Sequence, residues 1–269
     1  PYRSEFAQLA GQLPGQHLGW LVQARQAAIE RFAARGFPTQ RDEAWKYTSL
    51  AAIEHAQFAV APAPAVPILS EGLTELVAAH AIPAAHLLVF VDGRLTPGLS
   101  RPGRLPPGVV LGSLAEALAA NPPGLQAALL GAEAPSAFAD LNLALMADGA
   151  CLQLPPKTAV EAPIQWLFIA TQGGLAIQPR NLILAAAGSS AAIVEHHVAV
   201  GEGRYLTNAV TDIRLGPAAA IEHHKLQQES PAAFHMATVN VSQAAKSRFV
   251  STSFAFGARL ARVDIAVGL

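Results

Sequence analysis

A regular series of short apolar runs begins near residue 150 and continues to the last residue of the sequence. The runs are rich in Val, Ile, Leu and Thr, and no helical segment fits between them. Turn-forming clusters separate them at intervals of roughly 14 residues, at Gly188, Gly201–Gly203, Gly216-Pro217, Ser230-Pro231, Ala244-Ala245 and Gly257. Because crossover helices are absent from this pattern, a Rossmann-type sheet is excluded. Evenly spaced short strands are typical of a sandwich, a barrel or a β-helix.

An internal repeat favours the β-helix among these three. Val194-Glu195-His196-His197 returns 27 residues later as Ile221-Glu222-His223-His224, and at the same offset Thr211 corresponds to Thr238. This offset equals two strand-plus-turn units, so like residues would lie one above the other in successive coils. The sequence therefore predicts a flattened parallel β-helix with two strands in each coil.

The first half of the chain has a different, helical pattern. We place an N-terminal helical and mixed region at residues 1–145 and the β-helix core at 146–269. Good helix formers predict helices, which lie at Glu5–Leu13, Leu18–Gly36, Glu71–Ala81, Leu114–Ala120 and Phe138–Met146. His86–Asp92 is predicted as a buried strand. The alternating prolines of Ala61–Pro67 predict an extended segment, either a linker or a surface excursion.

Composition and charge exclude several classes of function. The net charge is −1, which gives no basic field for nucleic acid. No run approaches the roughly 18 apolar residues that a membrane span requires, and the first residues do not resemble a signal peptide. We therefore expect a cytoplasmic protein. The single cysteine, Cys151, rules out an internal disulfide and is typical of a small buried apolar residue.

The most distinctive segment is Pro38–Leu50, with the sequence PTQRDEAWKYTSL. It resembles the N-terminal signature of the SufB/SufD family of the SUF iron–sulfur cluster assembly machinery. The matching positions are Pro38, Arg41, Glu43, Trp45, Lys46, Tyr47 and Thr48. The resemblance continues in order through Leu88–Gly93, Leu141–Ala150, Arg180–Ile183, Ile193–His196, His223–Ser230, Phe234-His235 and Phe256–Asp264. The Trp-Lys-Tyr-Thr segment and the single cysteine favour the SufD branch of the family.

The resemblance implies a helical region followed by a β-helix, and a scaffold subunit without catalytic residues. It implies pairing with SufB and the ATPase SufC, a role in iron supply, and transient contact with iron or a cluster without a firmly bound cofactor. A homodimer is expected when SufB is absent. In the family the β-helix continues beyond the point that matches Leu269 and ends in a C-terminal helical domain. We therefore expect this chain to be an N-terminal and core fragment that lacks the SufC-docking and SufB-interface residues.

The two Glu-His-His triplets are the candidate metal ligands. Neighbouring residues of a strand point to opposite faces, so His196 would stack on His223, or His197 on His224. Glu195 and Glu222 would share the face of His197 and His224. Strands of adjacent coils lie about 4.8 Å apart, which lets two imidazoles and a carboxylate share an ion such as iron. The alternative is a polar ladder on a solvated sheet face.

The three residues at the centre of the signature segment allow two interpretations. Trp45, Lys46 and Tyr47 are typical of either a partner-binding anchor or a packing contact between the helical region and the next domain, and we favour packing. Arg259, Arg262 and Asp264 predict an outward polar row. No motif of a nucleotide site, a serine hydrolase or a zinc protease is present. A carbohydrate-active β-helix enzyme and an iron-delivery module remain the alternatives to a scaffold.

Overall fold

A computed structural model of the chain describes residues 2–60, 71–131 and 136–269. The predicted linker Ala61–Pro67 lies outside the described residues. The described α-helices are α1 Tyr2–Leu9, α2 Gly19–Arg35, α3 Ala51–Ala56, α4 Glu71–His80, α5 Leu114–Ala120, α6 Leu125–Leu130 and α7 Ala137–Leu145. Short 3-10 helices lie at Ala10–Gln12, Glu43–Trp45 and Pro97–Leu99.

The strands begin in the first half of the chain and dominate the second. They are β1 Ala59–Val60, β2 His86–Val91, β3 Arg94–Leu95, β4 Val110–Ser113, β5 Ala150–Leu154, β6 Ile164–Ala170, β7 Leu175–Ile177, β8 Arg180–Ala185, β9 Ser190–Ala199, β10 Leu206–Leu215, β11 Ala220–Gln228, β12 Phe234–Gln243, β13 Arg248–Ala255 and β14 Leu260–Gly268. The chain is therefore mainly β, with helices concentrated at its start.

From β5 onward the strands form the predicted flattened parallel β-helix. The chain passes alternately between two sheets, so that each coil gives one strand segment to each sheet. The first sheet contains β5, β8, β10, β12 and β14, and the second contains β6, β9, β11 and β13, all paired in parallel. The predicted fold class is confirmed.

Strands from the first half of the chain extend the same sheets. β2 pairs in parallel with β6, and β4 pairs antiparallel with β5. The domain boundary predicted between residues 145 and 146 stays a prediction. Strands from both sides of that boundary share the two sheets. The sequence pattern did not predict the short elements α3, α6, β1, β3 and β4.

The helical region packs on the outer face of the first sheet. Its apolar side chains, such as Leu21 and Phe138, form one core cluster with outward-facing residues of the sheet such as Leu206 and Phe234. Arg25 of α2 donates hydrogen bonds to the carbonyls of Ala144 and Met146 (3.0 and 2.8 Å), where α7 ends. These bonds satisfy carbonyls that a helix terminus leaves without a partner.

Local sequence signals explain where the helices begin and end. Ser113 caps α5 by accepting a hydrogen bond from Glu116 N, and the Glu116 side chain accepts one from Ser113 N in return. Gly36 ends α2 with φ of 70°, a conformation that glycine adopts without steric cost.

The predicted helices at 18–36, 71–81, 114–120 and 138–146 are confirmed within one residue at each end. The helix predicted at 5–13 instead starts at Tyr2 and ends in a 3-10 turn.

The interior between the two sheets is divided into an apolar half and a polar half. Ile193, Ile213, Ile221 and Val239 belong to the apolar cluster, together with Trp166. The inward positions farther along β9 and β11 are polar: Glu195 and His197 on β9, and His223, Lys225 and Gln227 on β11. All five are buried.

Candidate functional site

The register of β9 and β11 does not stack the two Glu-His-His triplets. Glu195 lies opposite Lys225 and His196 opposite Leu226, so paired residues are 30 positions apart and not 27. On the other sheet the offset is 28, which places Thr211 opposite Val239 and not opposite Thr238. The predicted ladder is therefore wrong, because turns of unequal length give the coils different numbers of residues.

A shift of three residues also places equivalent members of the two triplets on opposite faces. Glu195 and His197 point into the solenoid, whereas Glu222 and His224 point outward and keep 47% and 35% of their side-chain surface exposed. His223 points inward and is buried. The alternative of a solvated polar ladder therefore describes Glu222 and His224 only.

His196 lies on the outer face of β9, where helix α4 covers it. Its ring meets the ring of His80 edge to face, with centroids 5.1 Å apart. Its Nε2 atom lies 2.9 Å from Gln228 Oε1. His196 is thus separated from His223 by the sheet, and the two do not share a site.

The residues that do come together form a polar cluster inside the solenoid, centred on Glu195. Glu195 Oε1 accepts hydrogen bonds from His197 Nε2 (2.8 Å) and Lys225 Nζ. Glu195 Oε2 accepts from Thr211 Oγ1 and His223 Nε2, both at 3.0 Å. The carboxylate is 1% exposed, and these four protein groups bind both of its oxygens.

A second carboxylate, Glu229, lies in the turn after β11. It accepts from Thr207 Oγ1 (2.7 Å) and Gln227 Nε2 (3.1 Å), and its Oε2 atom lies 2.6 Å from His235 Nδ1. The rings of His197 and His235 meet edge to face with centroids 4.7 Å apart, which joins the two halves of the cluster. We call Glu195, His197, Thr207, Thr211, His223, Lys225, Gln227, Glu229 and His235 the interior cluster.

Stacked aromatic rings close one side of the interior cluster. Phe90, Phe168 and His197 occupy paired positions on β2, β6 and β9. The ring centroids are 4.8 Å apart at each step, which is the spacing of the strands themselves. Phe168 therefore covers one face of the His197 ring, and His197 meets its polar partners at the edge of the ring.

Burial and neighbouring charges shift the pKa values of this cluster. Burial raises the pKa of Glu195, but the charge of Lys225 and the hydrogen bonds from His197 and His223 outweigh it and hold the pKa well below its usual range. Burial also raises the pKa of Glu229, but the interaction with His235 outweighs burial and lowers this pKa to about 2. Burial and the nearby Lys225 lower the pKa of His197 to about 3. The cluster thus holds two charged carboxylates and an uncharged His197 at neutral pH.

Of the predicted ligands Glu195, His196, Glu222 and His223, the structure places Glu195 and His223 in the interior cluster, together with His197 from the alternative stacking, but not His196 or Glu222. The sequence pattern did not predict the other members of the cluster: Lys225, Glu229, His235, Thr207, Thr211 and Gln227. An available signal was the alternation of polar residues at 223, 225, 227 and 229, which continues the inward face of β11. Alternating polar residues usually face solvent in a sheet with one covered face. The sequence does not reveal that this face is the interior of a solenoid.

The signature segment lies away from the interior cluster. Trp45 is buried against Phe138, with ring centroids 5.6 Å apart, and the Arg262 guanidinium lies 4.0 Å from the Trp45 ring. Arg262 also donates to Ala44 O (2.8 Å) and pairs with Asp264.

Packing is confirmed for Trp45 but is wrong for Tyr47, whose side chain is 90% exposed. The remaining signature side chains are exposed or partly exposed: Arg41, Glu43, Lys46 and Thr48.

Comparisons with known families cover almost the whole chain. Residues 2–166 match the SufBD protein N-terminal region, and residues 168–269 match the SufBD core domain of SUF system FeS cluster assembly. The chain belongs to the SufB/SufD family. This confirms the resemblance that the signature segment and the following motifs indicated.

Three curated relatives are similar to this SufB/SufD protein over most of its length. It is 30% identical over 257 residues to the iron–sulfur cluster assembly SufBD family protein slr0076 of Synechocystis, covering 91% of this chain and 56% of the relative. It is 27% identical to the iron–sulfur cluster assembly protein SufD of Escherichia coli, covering 88% and 53%, and 25% identical to the chloroplastic protein ABCI7 of Arabidopsis thaliana, covering 92% and 52%. The chain spans about half the length of these relatives.

Among the described residues of the SufB/SufD chain, no helix is both long enough and apolar enough to cross a membrane.

Cys151 is buried in this family member, as predicted, and we expect it to react slowly. The side chain lies in the core between the helical region and the first sheet, and burial raises the pKa of the thiol to about 11. Because the thiolate is the reactive form, Ellman's reagent should modify the native protein at pH 8 at least about tenfold more slowly than the protein in 8 M urea. Equal rates in the two conditions would contradict this placement.

Because His197 is uncharged in the folded protein, we expect the protein to lose stability in mild acid. The unfolded chain binds a proton at His197 below the usual pKa of 6.5, whereas the folded protein does so only near pH 3. This contribution to stability is therefore complete above pH 6.5 and is lost as the pH falls toward 3. At pH 5.5 the loss should be about 1.4 kcal/mol relative to pH 7.5, as measured by urea unfolding.

The substitution H197Q should remove that part of the pH dependence, and H17Q is the matched control because His17 is exposed. If H197Q loses as much stability between pH 7.5 and 5.5 as the unsubstituted protein, His197 does not cause the effect.

Proposed function

We propose that this protein is a non-catalytic scaffold subunit of the SUF system, of the SufD type, which pairs with SufB and the ATPase SufC and supports iron supply for cluster formation. The observation that carries the proposal is the match of both the N-terminal and the core family regions, in order, over residues 2–269. The relative named SufD supports the more specific assignment. We further propose that the protein acts in the cytoplasm.

The shape of the molecule is consistent with work through interfaces. Stacked parallel strands give long sheet surfaces that can be covered by another protein. Pairing with SufB, or with a second copy when SufB is absent, is the contact that we propose for the solenoid.

The position of the charged groups favours a scaffold over a carbohydrate-active enzyme. Glu195 and Glu229 are the carboxylates of the interior cluster, and both are closed inside the solenoid with their oxygens bonded to protein groups. Two carboxylates that cleave a glycosidic bond need access to the sugar from a groove. Family membership in an assembly system points in the same direction.

Co-expression of the full-length protein with tagged SufC and with SufB, followed by affinity capture and size-exclusion chromatography, tests the proposal. We expect the three proteins to elute together as one stable complex. The same assay on residues 1–269 locates the contacts that this part of the protein makes. Failure of the full-length protein to associate with either partner would overturn the SufD-type assignment.

A further inference from the structure

Three members of the interior cluster are arranged like ligands of a metal ion. His197, Glu229 and His235 each offer one ligand atom, and these atoms all lie within 4.8 Å of one another. They come from β9, from the turn after β11 and from β12, so the fold and not local sequence brings them together. All three side chains are buried, at 1%, 5% and 0% exposure.

The charges around Glu229 leave room for a cation. Lys225 forms its ion pair with Glu195. The side chains bonded to Glu229 are Thr207, Gln227 and His235, and none of them is a lysine or an arginine. Because a buried carboxylate needs a compensating positive charge, a cation bound next to Glu229 would stabilise the folded protein. His235 Nε2 is buried and has no hydrogen-bond partner among the described residues.

The donor set is suited to a transition metal. Two imidazoles and one carboxylate bind divalent first-row ions such as Fe²⁺, Co²⁺ and Zn²⁺. With metal–ligand bonds of about 2.1 Å, tetrahedral geometry places the ligand atoms about 3.4 Å apart. The three ligands therefore need to move by roughly an ångström or less. A cavity of about 10 Å³ reaches His197 and Glu229 and supplies space next to them.

Neighbouring groups orient the three ligands. Metal-binding histidines commonly donate the second ring N–H to a carboxylate, and His197 Nε2 lies 2.8 Å from Glu195 Oε1. Thr207 donates to one oxygen of Glu229 and Gln227 to the other. Gln227 is held in turn by Gly257 N, which donates to its Oε1 atom at 3.1 Å. Such second contacts fix ligand positions before an ion arrives.

We propose that His197, Glu229 and His235 form a resident binding site for one divalent first-row transition-metal ion inside the solenoid. The site differs from the ladder predicted from the sequence, because Glu222 lies on the outer surface and His196 lies beneath α4. It also goes beyond the scaffold function, because an enclosed ion would be part of the folded protein and not cargo passed between subunits.

The test uses Co²⁺, which gives visible d–d absorption when nitrogen and oxygen ligands hold it in a tetrahedral or five-coordinate site. Because all three ligands are buried, the full chain is unfolded in urea, refolded with excess Co²⁺, and freed of unbound metal by gel filtration. We expect one cobalt per chain and a d–d band. No retained cobalt would overturn the proposal.

Variants identify the ligands. H235Q and H197Q should each lower retained cobalt at least fivefold, whereas H224Q should retain it, because His224 belongs to the similar but exposed pair with Glu222. Circular dichroism checks that each variant folds. Cobalt K-edge X-ray absorption of the unsubstituted protein should show two imidazole ligands, and this readout does not depend on any variant. A cobalt spectrum unchanged by H235Q, or one without imidazole ligands, would contradict the assignment.

Discussion

Replacing Lys225 with methionine should lower the free energy of unfolding by about 3–5 kcal/mol, the cost of leaving one charge of a buried ion pair without its partner. Lys225 Nζ bonds to Glu195 Oε1, and the two side chains are 3% and 1% exposed. Methionine keeps most of the volume of lysine, so a packing defect contributes little. Urea unfolding at pH 7.5 measures the change.

The double variant K225M/E195Q separates charge from packing. Because removing both charges abolishes the uncompensated carboxylate, this variant should recover at least half of the stability that K225M loses. The matched surface control is E222Q, because Glu222 is half exposed and lies 3.7 Å from His224. It should change stability by no more than about 0.5 kcal/mol. A loss below about 1 kcal/mol in K225M, or no recovery in the double variant, would contradict the buried pair.

The substitution G149A should destabilise the protein by about 3 kcal/mol, the upper end of the usual cost of overpacking. Gly149 connects α7 to β5 and lies against the backbone of β8. A Cβ atom at this position would lie 2.0 Å from the carbonyl oxygen of Arg180 and 2.5 Å from its carbonyl carbon. Because these are backbone atoms of a paired strand, the clash is relieved only if β5 and β8 move apart.

Hydrogen bonds hold both sides of this contact in place. Arg180 N donates to Asp148 O (3.0 Å), and Leu114 N donates to Gly149 O (2.7 Å). The control is G72A in α4, where an added Cβ meets no atom within 4 Å. Gly72 is the second residue of α4, where the helix preference of alanine counts less than in a helix interior, so that change should stabilise by no more than about 1 kcal/mol. Urea unfolding that finds G149A as stable as the unsubstituted protein would show that the strands do not approach so closely.

The sequence predicts most of the architecture because its signals are local. The capping box that begins at Ser113, the glycine that ends α2 and the evenly spaced turns all act within a few residues. These features establish a helical region and a two-sheet solenoid. They do not predict short elements such as α3, whose six residues depend on tertiary packing for their stability.

The strand register could not be predicted from the sequence in the same way. Similar residues recur at an offset of 27, but paired residues of β9 and β11 are separated by 30 positions. The difference arises in the turns, whose lengths do not affect the alternation within a strand. Because three is an odd number, the mismatch reverses which side of the sheet each residue faces. The membership of the interior cluster depends on that register.

The proposed role of the protein in iron supply can be tested through the metal content of the assembly complex. Complexes of SufB and SufC are purified anaerobically with and without this full-length protein, and iron and acid-labile sulfide are measured per SufB. We predict at least a fivefold loss of iron when the protein is absent, with sulfide delivery to SufB retained. Equal iron content in the two preparations would contradict a role in iron supply.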